Sequence, residues 1–217
     1  MTALVPSTII LVAIGYFLCG IPFGLLMGKR SAEHVDVRKV GSGNIGMTNV
    51  ARAAGAKAAA LTFVLDVGKG AVSMAIARAV MGTVTGLGFV GANVSSVVAP
   101  VLTLVFCANI FGHVFTPYLH FKGGKGISVG FGSALVMCWP LGLSMLAIFL
   151  LFVLPTKYIS AGSVAAAIAT PFLALLFGTT AVASVFVFLP CTVVVWRHWE
   201  NIKRLRAGTE RKFTVHK

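Results

Sequence analysis

Two short stretches carry residues whose types and spacing fit the capture of an anion. The first is GSGNIGMTNVAR, residues 41–52, with three glycines in its first six positions. Glycine permits positive φ, and consecutive N–H groups in such a turn point inward as an anion nest. Gly43 belongs to that turn, Ser42, Asn44, Thr48 and Asn49 add neutral donors, and Arg52 can fork onto phosphate oxygens. If a helix opens at Thr48, its free N–H groups aim at the same anion. The second stretch is HVFTPYLHFKGGKG, residues 113–126, where Gly123 and Gly124 lie between Lys122 and Lys125 and suggest a second nest with cations beside it. It is not a nucleotide P-loop, because Gly126 follows Lys125 where Ser or Thr is needed and Leu119 stands where the first glycine should be.

Other polar positions have supporting roles to play. Asp66 and Lys69, in DVGKG, are three apart inside an apolar block, so they share a helix face and can neutralise each other. With His113 they read as structural support for the site. KYISAGS, residues 157–163, opens a further apolar block, and its Ser163 either caps a helix or touches substrate. In the tail RHWENIKRLRAGTE, His198 and Asn201 share one face, as do Arg197 and Glu200. His198 and Asn201 are the pair assigned to the site.

Absences narrow the chemistry. The five acids, Glu33, Asp36, Asp66, Glu200 and Glu210, form no cluster in sequence that would hold Mg²⁺. The HxxxxD acyltransferase dyad is missing, since Tyr118 follows His113 at that spacing and Lys203 follows His198. No G-x-S-x-G elbow occurs. Cys19, Cys107, Cys138 and Cys191 are isolated in apolar stretches, with neither a disulfide framework nor zinc-ligand spacing. No metal and no cofactor are expected.

The elements that position these residues must lie in a membrane. Hydrophobic residues are 58% of 217 positions, charged ones 11%, and the mean hydropathy is +0.95. A soluble chain carries about a quarter charged residues. Apolar blocks cover 5–27, 58–81, 84–110, 127–154 and 159–196. The N-terminal block has no basic leader and no small-residue cleavage pattern, so it reads as a retained span. Lys and Arg outnumber Asp and Glu 18 to 5, and 16 of the 18 fall in the segments 29–57, 122–126, 157 and 197–217. Basic runs without interleaved aromatics argue against nucleic acid and fit cytoplasmic loops near anionic lipids and phosphorylated substrates. Placing all four segments on one side requires paired helices between them. Residues 58–110 supply a pair turning near Gly82-Thr83, and 159–196 a pair turning near Gly178-Thr179-Thr180. Trp139-Pro140 divides 127–154 into two short helices. The expectation is an all-α integral membrane bundle of about seven helices, one domain over 1–217, with its N-terminus outside and its C-terminus cytoplasmic. Anion-binding residues in loops, with no internal repeat, favour an enzyme over a transporter.

Taken in series, GSGNIGMTNVAR, DVGKG, HVFTPYLHFKGGKG, KYISAGS and RHWENIKRLRAGTE resemble the bacterial acyl-phosphate-dependent glycerol-3-phosphate acyltransferase family. The resemblance implies a multi-pass inner-membrane enzyme whose site faces the cytoplasm. The implied reaction moves an acyl group from acyl phosphate to the sn-1 hydroxyl of glycerol 3-phosphate, giving lysophosphatidic acid and phosphate for phospholipid synthesis. By similarity, Ser42, Gly43, Asn44, Gly124 and Lys125 match phosphate-binding positions, and Arg52, His198 and Asn201 match positions contacting glycerol 3-phosphate. Lys125, Arg52 and Ser42 are the expected catalytic residues, and Gly123, Thr48, Asn49 and Ser163 are expected to help bind substrate.

Overall fold

The computed structural model describes residues 3–91 and 98–213, and every regular element among them is helical. In chain order these are α1 (Leu4–Gly20), α2 (Phe23–Arg30), α3 (Met47–Thr85), α4 (Gly88–Gly91), α5 (Ala99–Val114), α6 (Ile127–Met137), α7 (Trp139–Thr156), α8 (Ile159–Leu176), α9 (Ala181–Arg197) and α10 (Trp199–Arg206). Two 3₁₀ turns, Val37–Lys39 and Pro117–Leu119, sit in the loops. The chain is an all-α membrane protein. Five helical units among the described residues are long and apolar enough to cross a bilayer, and α9 with α10, bent by 55°, makes a sixth.

Several breaks follow from local chemistry, and some differ from the sequence expectation. The block 5–27 is not one helix. Pro22 lacks an N–H and forces Ile21 into an extended conformation, so the chain breaks between α1 and α2. The turn expected at Gly82-Thr83 lies later: α3 runs to Thr85 and stops on left-handed Gly86. Of the block 84–110, residues 92–97 lie outside the described residues. The break before Trp139-Pro140 is present, with Cys138 extended and the proline in the first turn of α7. Its two halves are unequal, however. α7 has 18 residues, whereas α6 has 11, about 16 Å against a hydrocarbon core of about 30 Å. The turn between α8 and α9 falls where expected, with Gly178 at φ 89° and Thr180 capping α9.

Small residues let the helices touch. Side chains added at Gly70 or Gly132 would run into the backbone carbonyls of Val129 and Val67, so α3 and α6 meet at backbone contact. Beside them Ser73 donates to Asn109 (2.7 Å) and Asn109 to Ser133 (3.0 Å), tying α3, α5 and α6 together inside the bundle. The main apolar core gathers Leu11, Met74, Leu102, Phe106, Ile110 and Val194. A second cluster of Leu25, Val37, Ile45, Val50, Ala59 and Leu119 lies under the first Gly-rich loop and anchors it. Ile9, Leu151, Leu154, Leu176 and Val182 face outward, as lipid-facing positions should. All four cysteines are free: Cys19 and Cys191 are buried, Cys107 and Cys138 half-buried.

Candidate active site

The first loop is rigid because its own groups hold it. Asp36 accepts from Arg38 N (3.1 Å), Nε (2.9 Å) and Nη2 (2.6 Å), which closes the 3₁₀ turn and buries Val37. Those contacts hold the Asp36 carboxyl well below the usual carboxylate range. Gly41 and Gly43 take φ of 62° and 67°, as a nest requires. Two of the nest N–H groups are nevertheless occupied: Ser42 N–H donates to Asn49 Oδ1 (2.9 Å) and Gly43 N–H to Val40 O (3.0 Å). Asn49 is buried and donates to Val37 O (2.8 Å) and Val40 O (3.0 Å). It is therefore the latch of the loop and not the free donor expected from sequence. Asn44 Oδ1 accepts from Gly46 N (2.8 Å), which leads the chain into α3 at Met47. The loop thus offers the cavity Ser42, Asn44, Thr48 and the opening turn of α3.

α3 is kinked at Gly55, whose φ of 77° and ψ of 174° are open only to glycine. The kink sets the opening turns of α3 apart from the long span behind them. Those turns carry Thr48, Asn49 and Arg52 along the cavity.

The second loop is a strap, not a nest. Gly123 N–H donates to Val114 O and Gly124 N–H to His113 O, each at 3.0 Å, so neither amide is free for an anion. Their carbonyls accept from Arg197 Nη2 (3.0 Å) and Nε (3.3 Å), which binds the strap to α9. A side chain at Gly123 would meet the His113 carbonyl, and one at Gly124 the His113 ring. Glycine is needed here for close packing. The strap delivers Lys125 to the cavity, where its ammonium donates to Asn201 Oδ1. Burial draws the Lys125 ammonium down to about 8; Glu210 opposes this, and Arg204, Arg197 and Arg52 add to it.

Behind the strap lies a buried polar core. Lys69 Nζ is 2.7 Å from Asp66 Oδ1, 2.8 Å from Ile21 O and 3.0 Å from His113 Nδ1. One ammonium therefore joins the α1–α2 break to α3 and α5. Because His113 Nδ1 accepts from Lys69, the ring proton sits on Nε2. His198 has the opposite arrangement: its Nδ1 donates to Val194 O (2.7 Å), which leaves an Nε2 lone pair.

A cavity of about 160 Å³ brings these pieces together. Ser42, Asn44, Thr48, Asn49 and Arg52 line it from the first loop and α3, Lys125 from the strap, and Ser163, His198 and Asn201 from α8 and the tail. Asp66 and His113 reach it; Lys69, Gly43, Gly123 and Gly124 are not among its lining residues. Ser163 does not cap α8, which begins at Ile159, four residues earlier. Phe63, Phe131, Met145, Leu146, Phe149 and Ala166 give the same cavity an apolar share of its lining. Among the described residues no group of three His, Cys, Asp or Glu side chains comes close enough to hold a metal ion.

Sequence reasoning missed part of the cavity. Ser160, Arg204, Glu210 and Arg211 line it, and Arg197 pairs with the strap while Glu200 turns away to Lys203 (3.1 Å). The overlooked signal was Gly208, whose φ of 68° folds the tail back.

The chain matches the model of the glycerol-3-phosphate acyltransferase family over residues 9–208. It is 40% identical over 205 residues to the glycerol-3-phosphate acyltransferase of Rubrobacter xylanophilus, covering 94% of each chain. It is 37% identical over 214 residues to that of Dinoroseobacter shibae, covering 98% of this chain and 96% of the relative. Two crystal structures of PlsY (YgiH), an integral membrane glycerol 3-phosphate acyltransferase, superimpose with TM-scores of 0.82 (glycerol 3-phosphate form, 32% identity) and 0.79 (lysophosphatidic acid form, 31% identity), each covering 96% of both chains. With a family match over nearly its whole length, the chain belongs to the glycerol-3-phosphate acyltransferases.

Proposed function

We propose that this acyltransferase transfers an acyl group from acyl phosphate to the sn-1 hydroxyl of glycerol 3-phosphate, releasing lysophosphatidic acid and inorganic phosphate. The observation that carries the reading is the mixed lining of one cavity, which Arg52, Lys125, Arg204 and Arg211 share with Phe63, Phe131, Met145 and Phe149. Such a site suits a phosphate head beside an alkyl chain. Ser42, Asn44, Thr48 and the start of α3 hold the donor phosphate. Arg52 and Lys125 carry the charge for both anions, while His198 and Asn201 orient glycerol 3-phosphate. Gly43, Gly123 and Gly124 shape the walls, and Asp66, Lys69 and His113 brace them.

Acyl phosphate is already activated, so the glycerol 3-phosphate hydroxyl attacks the acyl carbon directly. The bond from that carbon to the phosphate oxygen then breaks and phosphate departs. Arg52, Lys125 and the helix start stabilise the charge that develops. The hydroxyl proton passes to the phosphate of glycerol 3-phosphate. His113, protonated on Nε2 and occupied on Nδ1, is not built to accept it.

The basic loops and tail support an orientation with the site on the cytoplasmic face of a bacterial inner membrane, N-terminus outside, in a seven-helix bundle that counts the short α6. Purified protein given palmitoyl phosphate should release phosphate only when glycerol 3-phosphate is present. Release independent of the acceptor would defeat the reading, as would no release alongside uptake of glycerol 3-phosphate into vesicles.

A further inference from the structure

Lys125 is held by a relay that ends outside both Gly-rich loops. Its ammonium donates to Asn201 Oδ1, and Asn201 Nδ2 donates to Glu210 Oε1 at 2.8 Å. Ser160 Oγ donates to the same oxygen at 3.0 Å, and Arg204 Nε reaches Oε2 at 2.7 Å. The Glu210 side chain is only 8% exposed. It is brought there by a folded tail in which Gly208 turns the chain (φ 68°), Thr209 N–H donates to Arg204 O (2.9 Å) and Phe213 N–H donates to Lys157 O (2.8 Å). Glu210, Arg211 and Phe213 consequently form part of the cavity wall.

An ionised carboxylate only accepts, and an amide has a donating and an accepting end. Glu210 must therefore draw Asn201 Nδ2 toward itself, which turns Oδ1 to the Lys125 ammonium. We propose that Glu210 is a positioning residue for acyl transfer, fixing the orientation of Asn201 and through it the place of Lys125. This rests on Lys125 binding substrate phosphate.

The surroundings make the carboxylate more than a spacer. Facing Lys125 are Arg52 from α3, Arg197 from α9, His198 at the α9–α10 junction, Arg204 from α10 and Glu210 from the tail. Among these Glu210 alone is acidic. Burial by itself would push its carboxyl up, but the contacts from Asn201, Arg204 and Ser160 outweigh that and hold it ionised. Without that charge Lys125 is left with cations only and gives up its proton at lower pH.

The test compares Glu210→Gln, Glu210→Asp and Lys125→Ala with the parent enzyme. It measures kcat and KM for glycerol 3-phosphate from neutral to alkaline pH, and melting in detergent. Glu210→Gln should raise KM about tenfold at neutral pH, more than it lowers kcat, and shift the alkaline limb of kcat/KM to lower pH. Glu210→Asp should raise KM while keeping the limb at the parent position, and it decides the matter if the Gln variant does not fold. A limb unmoved in folded Glu210→Gln overturns the proposal, as does activity falling only in proportion to folded protein. So does an acidward limb in Glu210→Asp. If Lys125→Ala keeps the parent KM, the reading of Lys125 itself fails, a separate outcome from either of these.

Discussion

Replacing Lys69 with methionine should unfasten the brace behind the site. Methionine keeps the apolar stem but removes three contacts: Asp66 Oδ1 at 2.7 Å, Ile21 O at 2.8 Å and His113 Nδ1 at 3.0 Å. The side chains of Lys69 and Asp66 are 2% and 4% exposed, so water does not replace the lost cation. Removing one partner of a buried pair costs about 3–5 kcal/mol, because the other charge is stranded or must take up a proton. For a chain of this size that corresponds to a fall in melting temperature of about 10 °C. The matched change Asp66→Asn with Lys69→Met removes both charges and should recover more than half of the loss, since coupled neighbours do not add. Thermal unfolding in lipid nanodiscs, read with phosphate release, measures both. Lys69→Met melting with the parent, or a double variant no more stable than Lys69→Met, would refute the argument that this ion pair joins the α1–α2 break to α3 and α5.

Three further outcomes follow from the site. Lys125, at about 8, is charged below that pH and neutral above it, so KM for glycerol 3-phosphate should climb as pH rises through that value; the substrate phosphate, with its second pKa about 6, stays dianionic there. Lys125→Arg should flatten that rise across the same range, at a reduced kcat, because guanidinium stays protonated. Gly124→Ala would put a methyl group onto the His113 ring, which Lys69 holds in place, so the strap must shift; kcat should drop about a hundredfold, as for a misplaced catalytic group, while the protein still folds. His113→Ala should keep measurable turnover, whereas Arg52→Ala and Lys125→Ala should lose most of it in the same phosphate-release assay. Abolished kcat in His113→Ala with unchanged substrate affinity would mean that the proton does not go to substrate phosphate.

What could be read from sequence was set by how local its cause is. The membrane class follows from uninterrupted apolar blocks, and the turn at Gly178 and the break before Trp139-Pro140 follow from the residues at those points. The loop residues that carry charge, Arg52 and Lys125, and the polar pair His198 and Asn201, were legible because such residues are rare in this chain and fall at block ends. The roles of the glycines were not. GSG and KGG look alike as nests, but whether an amide is free depends on which carbonyl the fold brings opposite it. In the first loop that is Val40 O for Gly43; in the strap, His113 O and Val114 O take both amides. Asn49 was likewise indistinguishable from a free substrate donor until its partners, 12 and nine residues away, were visible. Glu210 was hidden for a related reason, since its distance to Lys125 depends on a tail that reverses at Gly208.

The proposed reaction asks one site to take two anions, and the charges around the cavity bear on how it would hold them. Arg52, Lys125, Arg204 and Arg211 line it, with Arg197 behind the strap and Glu210 as their carboxylate. Burial, more than the neighbouring cations, draws the Lys125 ammonium down to about 8, so it is the most readily titrated of these cations. A dianionic phosphate entering beside Lys125 favours the protonated form, so capture of substrate and charging of the lysine reinforce each other. On the proposed reaction one phosphate leaves as a free ion and the other stays attached to an acyl chain, for which Phe63, Phe131 and Phe149 offer apolar lining. If Glu210 positions Lys125 as proposed, the group that meets phosphate is also the one whose charge can change just above neutral pH.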